Sequence, residues 1–389
     1  MTIQNIAYKI LGALFFVVAI ALYGGLNYYI GKRIWLGLFR HVSFVNIKVY
    51  WVIYWAIVLC YIPAMVLRNH PGRILSLMEL MGGIWMGVMF YLFIAFLVID
   101  LIRLLLRKAG SEGVINMMAS GSFQVVFSIV IGIIVVFFVA YGMREASISK
   151  VSTYNFDVSK PVQDSNMKIV MISDIHIGGI IGRSRVENMV KEINSLNPDL
   201  VLFAGDIIDS SLEPFKEQNM GEVFRQIKSS YGVYGCLGNH EGFDGNVGDI
   251  VKEYDAAGIR ILQDEAVLVN NSVYVAGRVD ASIARGKGRK KISEILTGID
   301  KSKPVIMLDH QPLEFSEEDK EGVDLLLCGH THRGQLAPAN LITHRIYELD
   351  YGYLKKGNLN IVVSSGYGTW GPPMRIGSQS EIVEINLGH

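Results

Sequence analysis

The chain has 389 residues, of which 51% are hydrophobic and 19% charged, with a mean hydropathy of +0.33. That balance excludes a disordered chain and sits badly with a wholly soluble one, whose charged share is usually about 25%. The formal net charge of zero hides a segregation: residues 1–144 carry 11 Lys/Arg against 3 Asp/Glu, and the rest carry 25 against 33. The second, acidic half has no broad basic face to neutralise phosphates, so nucleic acid is not an expected partner.

Four stretches without Asp, Glu, Lys or Arg come first: 22 residues after Lys9, 19 after Lys48, 20 after Glu79 and 31 after Glu112. A bilayer core about 30 Å thick needs roughly 20 apolar residues of helix. The pattern predicts four transmembrane helices near 10–30, 49–67, 80–102 and 121–142. Trp35, Tyr50, Trp51, Trp55 and Tyr141 read as interfacial anchors. A cleaved signal peptide is a poor account of the first stretch, because it lacks a charged start beyond Lys9 and three more spans follow. Lys32, Arg33, Arg40, Lys48, Arg103, Arg107 and Lys108 fall in loops one and three. Lys9, Arg68, Arg73, Arg144 and Lys150 fall on the other side. Seven against five predicts a multi-pass protein of the cell membrane with its carboxy-terminal domain outside the cytoplasm. Asp100, close to a helix end and beside Arg103, is the one ionisable residue within a span, so the bundle reads as an anchor and not as an ion pathway.

Residues 145–166 read as a polar connector. From 167 to 389, short apolar runs alternate with amphipathic stretches, as in an α/β domain. Met167–Ser173, Leu200–Ala204, Val233–Leu237, Val273–Ala276, Pro304–Leu308, Leu325–Cys328, Ile361–Ser364 and Ile382–Leu387 read as strands. Arg183–Ser195, Asp249–Ala257 and Lys290–Gly298 read as helices. Cys60, Cys236 and Cys328 lie in apolar runs without paired spacing, so they read as buried residues and not as a thiolate metal site.

Five of the predicted strands end in clusters of Asp, Asn or His next to glycine: Asp174-Ile-His176, Gly205-Asp206, Gly238-Asn239-His240-Glu241, Asp309-His310 and Gly329-His330-Thr331-His332. Side chains at strand ends converge at one edge of an α/β sheet, where such sheets bind ligands. A single buried histidine is usually a satisfied core residue. Five of the chain's nine histidines falling into these clusters is a different matter. Imidazoles and carboxylates without thiolates suit divalent ions such as Mn, Fe or Zn.

In this order, the D-x-H, G-D, G-N-H-E, H and G-H-x-H series resembles the calcineurin-like metallophosphoesterase superfamily over roughly residues 165–389. The stretch Ser365–Arg375 (SGYGTWGPPMR) also resembles its membrane-associated bacterial phosphodiesterase branch, which includes UDP-diacylglucosamine pyrophosphatases. The resemblance implies an αββα sandwich of mixed sheets behind the four-helix membrane region. It implies two divalent metal ions, with manganese the expected one. Asp174, His176 and His332 would hold the first ion, Asn239, His310 and His330 the second, and Asp206 would bridge them. His240 would contact the phosphate or protonate the leaving group. The reaction implied is hydrolysis of a phosphoester or pyrophosphate by a metal-bridging hydroxide. Glu241 departs from the commoner G-N-H-D. Four helices exceed what tethering needs, so the expected substrate is lipid-linked or membrane-derived. A catalytically silent metal- or nucleotide-binding sensor on a membrane bundle is the alternative reading. Arg278, Arg285, Lys287, Arg289, Lys290 and Lys291 form a basic loop, and Tyr367, Trp370, Met374 and Arg375 form a possible lip. Arg278 and Arg375 are the candidate phosphate contacts from these two segments.

Overall fold

The computed structural model describes residues 3–67, 69–70, 72–162, 166–284 and 288–388, without the side chains of 3–13, 15 and 16. Arg68, Arg285, Lys287 and His389 therefore lie outside the described residues. The chain divides into two compact units, residues 1–62 with 81–140 and residues 63–80 with 141–389.

Six helices make up the amino-terminal portion: α1 (Ile3–Gly37), α2 (Ile47–Val58), α3 (Tyr61–Val66), α4 (Arg73–Lys108), α5 (Glu112–Ala119) and α6 (Gly121–Ser147). Helix is the conformation that satisfies backbone polar groups within an apolar segment. Among the described residues, three helices are long and apolar enough to cross a membrane: Ile47–Val66, Arg73–Lys108 and Gly121–Ser147. The predicted span near 10–30 falls within α1, many of whose side chains lie outside the described residues. Three such helices therefore stand where four were expected. Four of the five aromatic residues predicted as interfacial anchors, Trp35, Tyr50, Trp51 and Trp55, also pack with one another. Tyr50 is buried and packs with Trp35, Trp51, Trp55 and Trp85 in one cluster, while its hydroxyl donates to the Gly31 carbonyl at 2.7 Å. A Cβ at Gly31 would come within 2.7 Å of the Trp51 ring, so the small residue there admits the cluster.

The carboxy-terminal portion is built on two six-stranded sheets. The strands are β1 (Ser149–Asp157), β2 (Asn166–Ile172), β3 (Leu200–Ala204), β4 (Val233–Cys236), β5 (Arg260–Ile261), β6 (Glu265–Val269), β7 (Val273–Gly277), β8 (Val305–Leu308), β9 (Leu325–Cys328), β10 (Gly352–Lys356), β11 (Leu359–Val363) and β12 (Ser380–Gly388). The first sheet runs β1-β12-β2-β3-β4-β5 and the second β10-β11-β9-β8-β7-β6. Both are mixed: β2 to β5 are parallel while β12 runs antiparallel to β2, and β7, β8, β9 and β11 are parallel between antiparallel edges.

Strand alternation sorts the side chains into layers. Ile169, Met171, Leu200 and Leu202 meet Ile306, Leu308, Leu325 and Leu327 between the sheets. Val170, Ile172, Val201 and Phe203 face outward onto Met189 and Ile193 of the Arg183–Ser195 helix and Ile250 and Tyr254 of the Val247–Ala256 helix. Met307, Leu326 and Cys328 face the opposite way, onto Ile292, Ile295 and Phe315. Each buried side chain of this size contributes roughly 1.5–3 kcal/mol over an exposed one. The architecture is therefore helix, sheet, sheet, helix. Cys236 and Cys328 are buried, and Cys60 is only partly so. Residues 145–166, read as a connector, instead contain β1, a nine-residue strand paired in parallel with β12 along its whole length. The helix expected over Lys290–Gly298 shrinks to Ile292–Ile295.

Candidate metal centre

The five polar clusters follow the carboxyl ends of β2, β3, β4, β8 and β9, each a member of a parallel run. Parallel strands direct these ends to the same edge, so turns far apart in sequence meet. At the turns the backbone is forced into an uncommon conformation. Asp174, His176, Asp206, His330 and His332 have φ of 52°, 54°, 54°, 71° and 48°. The left-handed region is sparsely populated by residues other than glycine, and such strain clusters at functional sites.

Three groups of ligand atoms lie within 4.8 Å of one another: Asp174 with His176 and His332, His176 with Asp206 and His240, and Asp206 with His310 and His330. Nε2 of His176 and Nε2 of His332 are 3.0 Å apart. His310 Nε2 lies 3.1 Å from Asp206 Oδ2 and 3.2 Å from Asn239 Oδ1, which is itself 2.8 Å from His330 Nδ1. His310 Nδ1 is 2.8 Å from the Ala204 carbonyl. Burial opposes a charge on His310, but Asp206 and Asp174 raise it well above the ordinary imidazole range, so Nε2 must give up a proton before it can hold an ion. The backbone N–H of His330 donates to both Asp174 oxygens, at 2.9 and 3.1 Å. All seven residues predicted as ligands, and His240, thus come together. Nitrogen and oxygen donors without thiolate, crowded nitrogen to nitrogen, fit borderline divalent ions. Asp174, His176 and His332 could hold one such ion, and Asp206, Asn239, His310 and His330 another.

Burial and charge set the protonation. Burial, then the neighbouring His310, pushes His330 down to about 4. His332 is also held well below its usual range, first by burial and then by His176 and Arg375. Both are neutral near pH 7, as a ligand must be. Burial alone would raise Asp206, but His310, then His240 and His176, hold it well below the ordinary carboxylate range. His240 is lowered by burial against the opposing pull of Asp206. Its Nδ1 contacts the Asp209 carbonyl, and its Nε2 stands 4.0 Å from Asp206 Oδ2.

Several organising residues escaped the sequence reading. Glu241 is fully buried and does more than orient its neighbour His240. It accepts from the N–H groups of Asp206, Ile207, Ile208 and Gly238 and from the Tyr254 hydroxyl, at 2.7–3.2 Å. One carboxylate thereby ties the β3 turn to the β4 turn. Its adjacency to His240 was the available signal. Asp209 faces Nδ1 of His176 at 3.4 Å. Glu79, near the start of α4, lies against Gly178 and Gly179, and these glycines make room for its carboxylate.

The two candidate phosphate contacts part ways. Arg375 is fully buried; its Nη2 lies 3.2 Å from His332 Nδ1 and donates to the Gly366 and Gly368 carbonyls. It reaches the site from behind a candidate ligand. Arg278 is engaged with Glu317 at 3.1 Å and with Asp309 and Glu318 at 3.7 Å, so its guanidinium is committed to carboxylates. Arg289 of the same basic loop donates from Nη2 to both Asp309 oxygens at 2.6 Å. Of the expected lip, Tyr367 and Met374 are buried and Trp370 alone is exposed. Its ring lies 6.2 Å from that of His240, with Phe243 at 4.7 Å on another side.

Residues 167–334 match the calcineurin-like phosphoesterase family. A zebrafish (Danio rerio) protein named as a transmembrane protein with a metallophosphoesterase domain is 30% identical over 320 residues, covering 78% of this chain and 71% of its own. A Campylobacter jejuni metallophosphoesterase is 28% identical over 96% of this chain and 98% of its own. One from Aquifex aeolicus is 32% identical over 64% of this chain and 95% of its own.

Proposed function

The chain belongs to the calcineurin-like metallophosphoesterases, a metal-dependent phosphoester hydrolase by family, and from that premise we propose a dinuclear site that acts on amphiphilic phosphates at a membrane. The observation that carries the dinuclear reading is Asp206, whose carboxylate is shared between the His176/His240 group and the His310/His330 group. Asp174, His176 and His332 would hold one ion, and Asn239, His310 and His330 the other. Manganese suits this donor set. The ions supply charge neutralisation of the phosphate and a nucleophile derived from water near neutral pH.

The rest belongs to the chain's own side chains. Glu241 and Gly238 hold the β3 and β4 turns at a fixed separation, so Asp206 and Asn239 meet the substrate without rearrangement. His240, fixed through Nδ1 by the Asp209 carbonyl, presents Nε2 to the site. An entering phosphate anion favours its imidazolium form, which then gives the Nε2 proton to the leaving oxygen. Trp370 and Phe243, exposed beside His240, support the amphiphilic part of the reading, because they offer apolar surface to a chain attached to the phosphate. Four membrane spans, counting α1, anchor the domain on the outer side.

The test uses the full chain in detergent with added manganese. It should hydrolyse bis-p-nitrophenyl phosphate, and Asp206→Asn should lose at least a hundredfold in kcat. Unchanged activity in that variant overturns the site. Trp370→Ala should raise KM for lipid phosphates and leave it unchanged for water-soluble nucleotides; equal effects overturn the amphiphile. Protease added to intact cells should remove the domain.

A further inference from the structure

A second polar constellation lies within the helical unit, in residues that take no part in the metal centre. A cavity of about 250 Å³ is enclosed by α1, the short turn after it, α4 and α6, with Arg33, Arg40, Arg103, Phe96, Phe123 and Phe127 in its wall. Among the described residues this wall carries three guanidinium groups and no carboxylate. Asp100 stands beside it. It takes one N–H of Arg33 at 2.6 Å and lies 3.9 Å from Arg103, and it accepts the Tyr29 hydroxyl at 2.6 Å. One carboxylate against three arginines leaves a surplus of positive charge facing a cavity that is partly open to its surroundings. Aromatic faces hold Arg33 in place, with its guanidinium carbon 5.4 Å from the Phe96 ring centre and 5.8 Å from that of Tyr29.

Gln124 and Ser128, in the first turns of α6, complete the polar side. The amino-terminal end of a helix adds partial positive charge. Gly37 lets α1 close against α6, since a Cβ there would run into the Ser128 side chain. The lining also has apolar members, Phe96 and Ile99 of α4 and Phe123 and Phe127 of α6.

Arginine forks match phosphoryl oxygens in pairs, and basic cavities between membrane helices suit anionic head groups. We propose that this cavity binds the phosphoryl head group of an anionic phospholipid, with Arg33, Arg40 and Arg103 on the phosphate and the phenylalanines along the start of the acyl chains. Asp100 is the positioning residue that spaces Arg33 from Arg103. The site depends on the helical unit alone, so it stands whether or not the dinuclear reading holds.

The test is lipid binding by the full chain in detergent, read by native mass spectrometry and by thermal shift of tryptophan fluorescence. The probes are dioleoyl phosphatidic acid, dioleoyl phosphatidylcholine and inorganic phosphate. Phosphatidic acid should bind at least tenfold more tightly than phosphatidylcholine. Arg40→Gln should weaken it about tenfold and Arg40→Gln with Arg103→Gln further. Arg40 is exposed, so its loss leaves folding intact, and Arg144→Gln, at an exposed guanidinium, should change nothing. Equal binding of the two lipids overturns the proposal, as does full retention in the double variant. Inorganic phosphate binding as tightly as phosphatidic acid overturns the lipid as occupant.

Discussion

Two buried carboxylates have opposite roles, and each makes a separate forecast. Glu241 answers four backbone N–H groups and one hydroxyl. Glu241→Gln would turn an amide NH2 toward donors, leaving at least one buried donor unpaired at about 1–3 kcal/mol. The variant should melt at lower temperature and lose at least tenfold in kcat; unchanged values would mean the turns hold themselves. Glu318 is buried, and burial, with Asp309 adding to it, raises its carboxyl to about 7 from an ordinary 4.5. The unfolded chain releases this proton first, so the folded state loses stability as pH rises from about 4.5 to 7. The loss is complete above that window and absent below it. Glu318→Gln should therefore gain on the native protein by on the order of 1–3 kcal/mol between pH 5 and pH 8, read as the difference between their unfolding curves. A constant difference across that range would contradict it.

At the level of elements, the turns that carry the histidines are packed shoulder to shoulder. A Cβ on Gly329 would strike the Asp174 carboxylate and lie 2.6 Å from Ser173 Cβ, and one on Gly205 would lie 2.6 Å from His310 Nδ1 at a φ of 85°. Gly329→Ala should keep the far-ultraviolet spectrum of the native protein and lose at least tenfold in activity and in manganese affinity. Native activity would mean that the β9 turn has slack. Much of this was legible in the sequence, because a polar cluster that interrupts an apolar strand marks a turn whatever the topology. Asp174, His176, Asp206, Asn239, His240, His310, His330 and His332 were all singled out that way, and the structure brings them together. What escaped was hidden for physical reasons. The β1 strand pairs on one side only and buries little beyond Ser152 and Phe156, so its composition is that of a linker. Glu241 and Arg375 were both singled out, but their partners are backbone N–H groups and carbonyls, which carry no residue signature. The tryptophans of the bundle gather around Tyr50, a contact between helices that sequence periodicity does not show.

Taken whole, the molecule ties its stability to whatever occupies the site. Five candidate ligand residues sit at positive φ, and two imidazole nitrogens stand 3.0 Å apart, so occupancy by cations should stabilise the native state by about 2.7 kcal/mol at a free concentration a hundredfold above Kd. Chelation should lower the melting temperature by several degrees, manganese should restore it, and Asp206→Asn should abolish the response. The last turns of α6 enter the fold of the domain itself. Arg375 donates its backbone N–H to the Gly142 carbonyl at 2.8 Å, and Ser380 Oγ donates to Ala146 at 2.8 Å. A single residue, Ile148, then separates this helix from β1.

That junction governs how the hydrolase half can be freed from its bilayer half. Cutting before Met167 would strip β1 from β12 and leave a nine-residue row of bare N–H and C=O groups, a template for pairing with other molecules. Such a fragment should precipitate or run as soluble oligomers, whereas one starting at Tyr141 should stay dispersed.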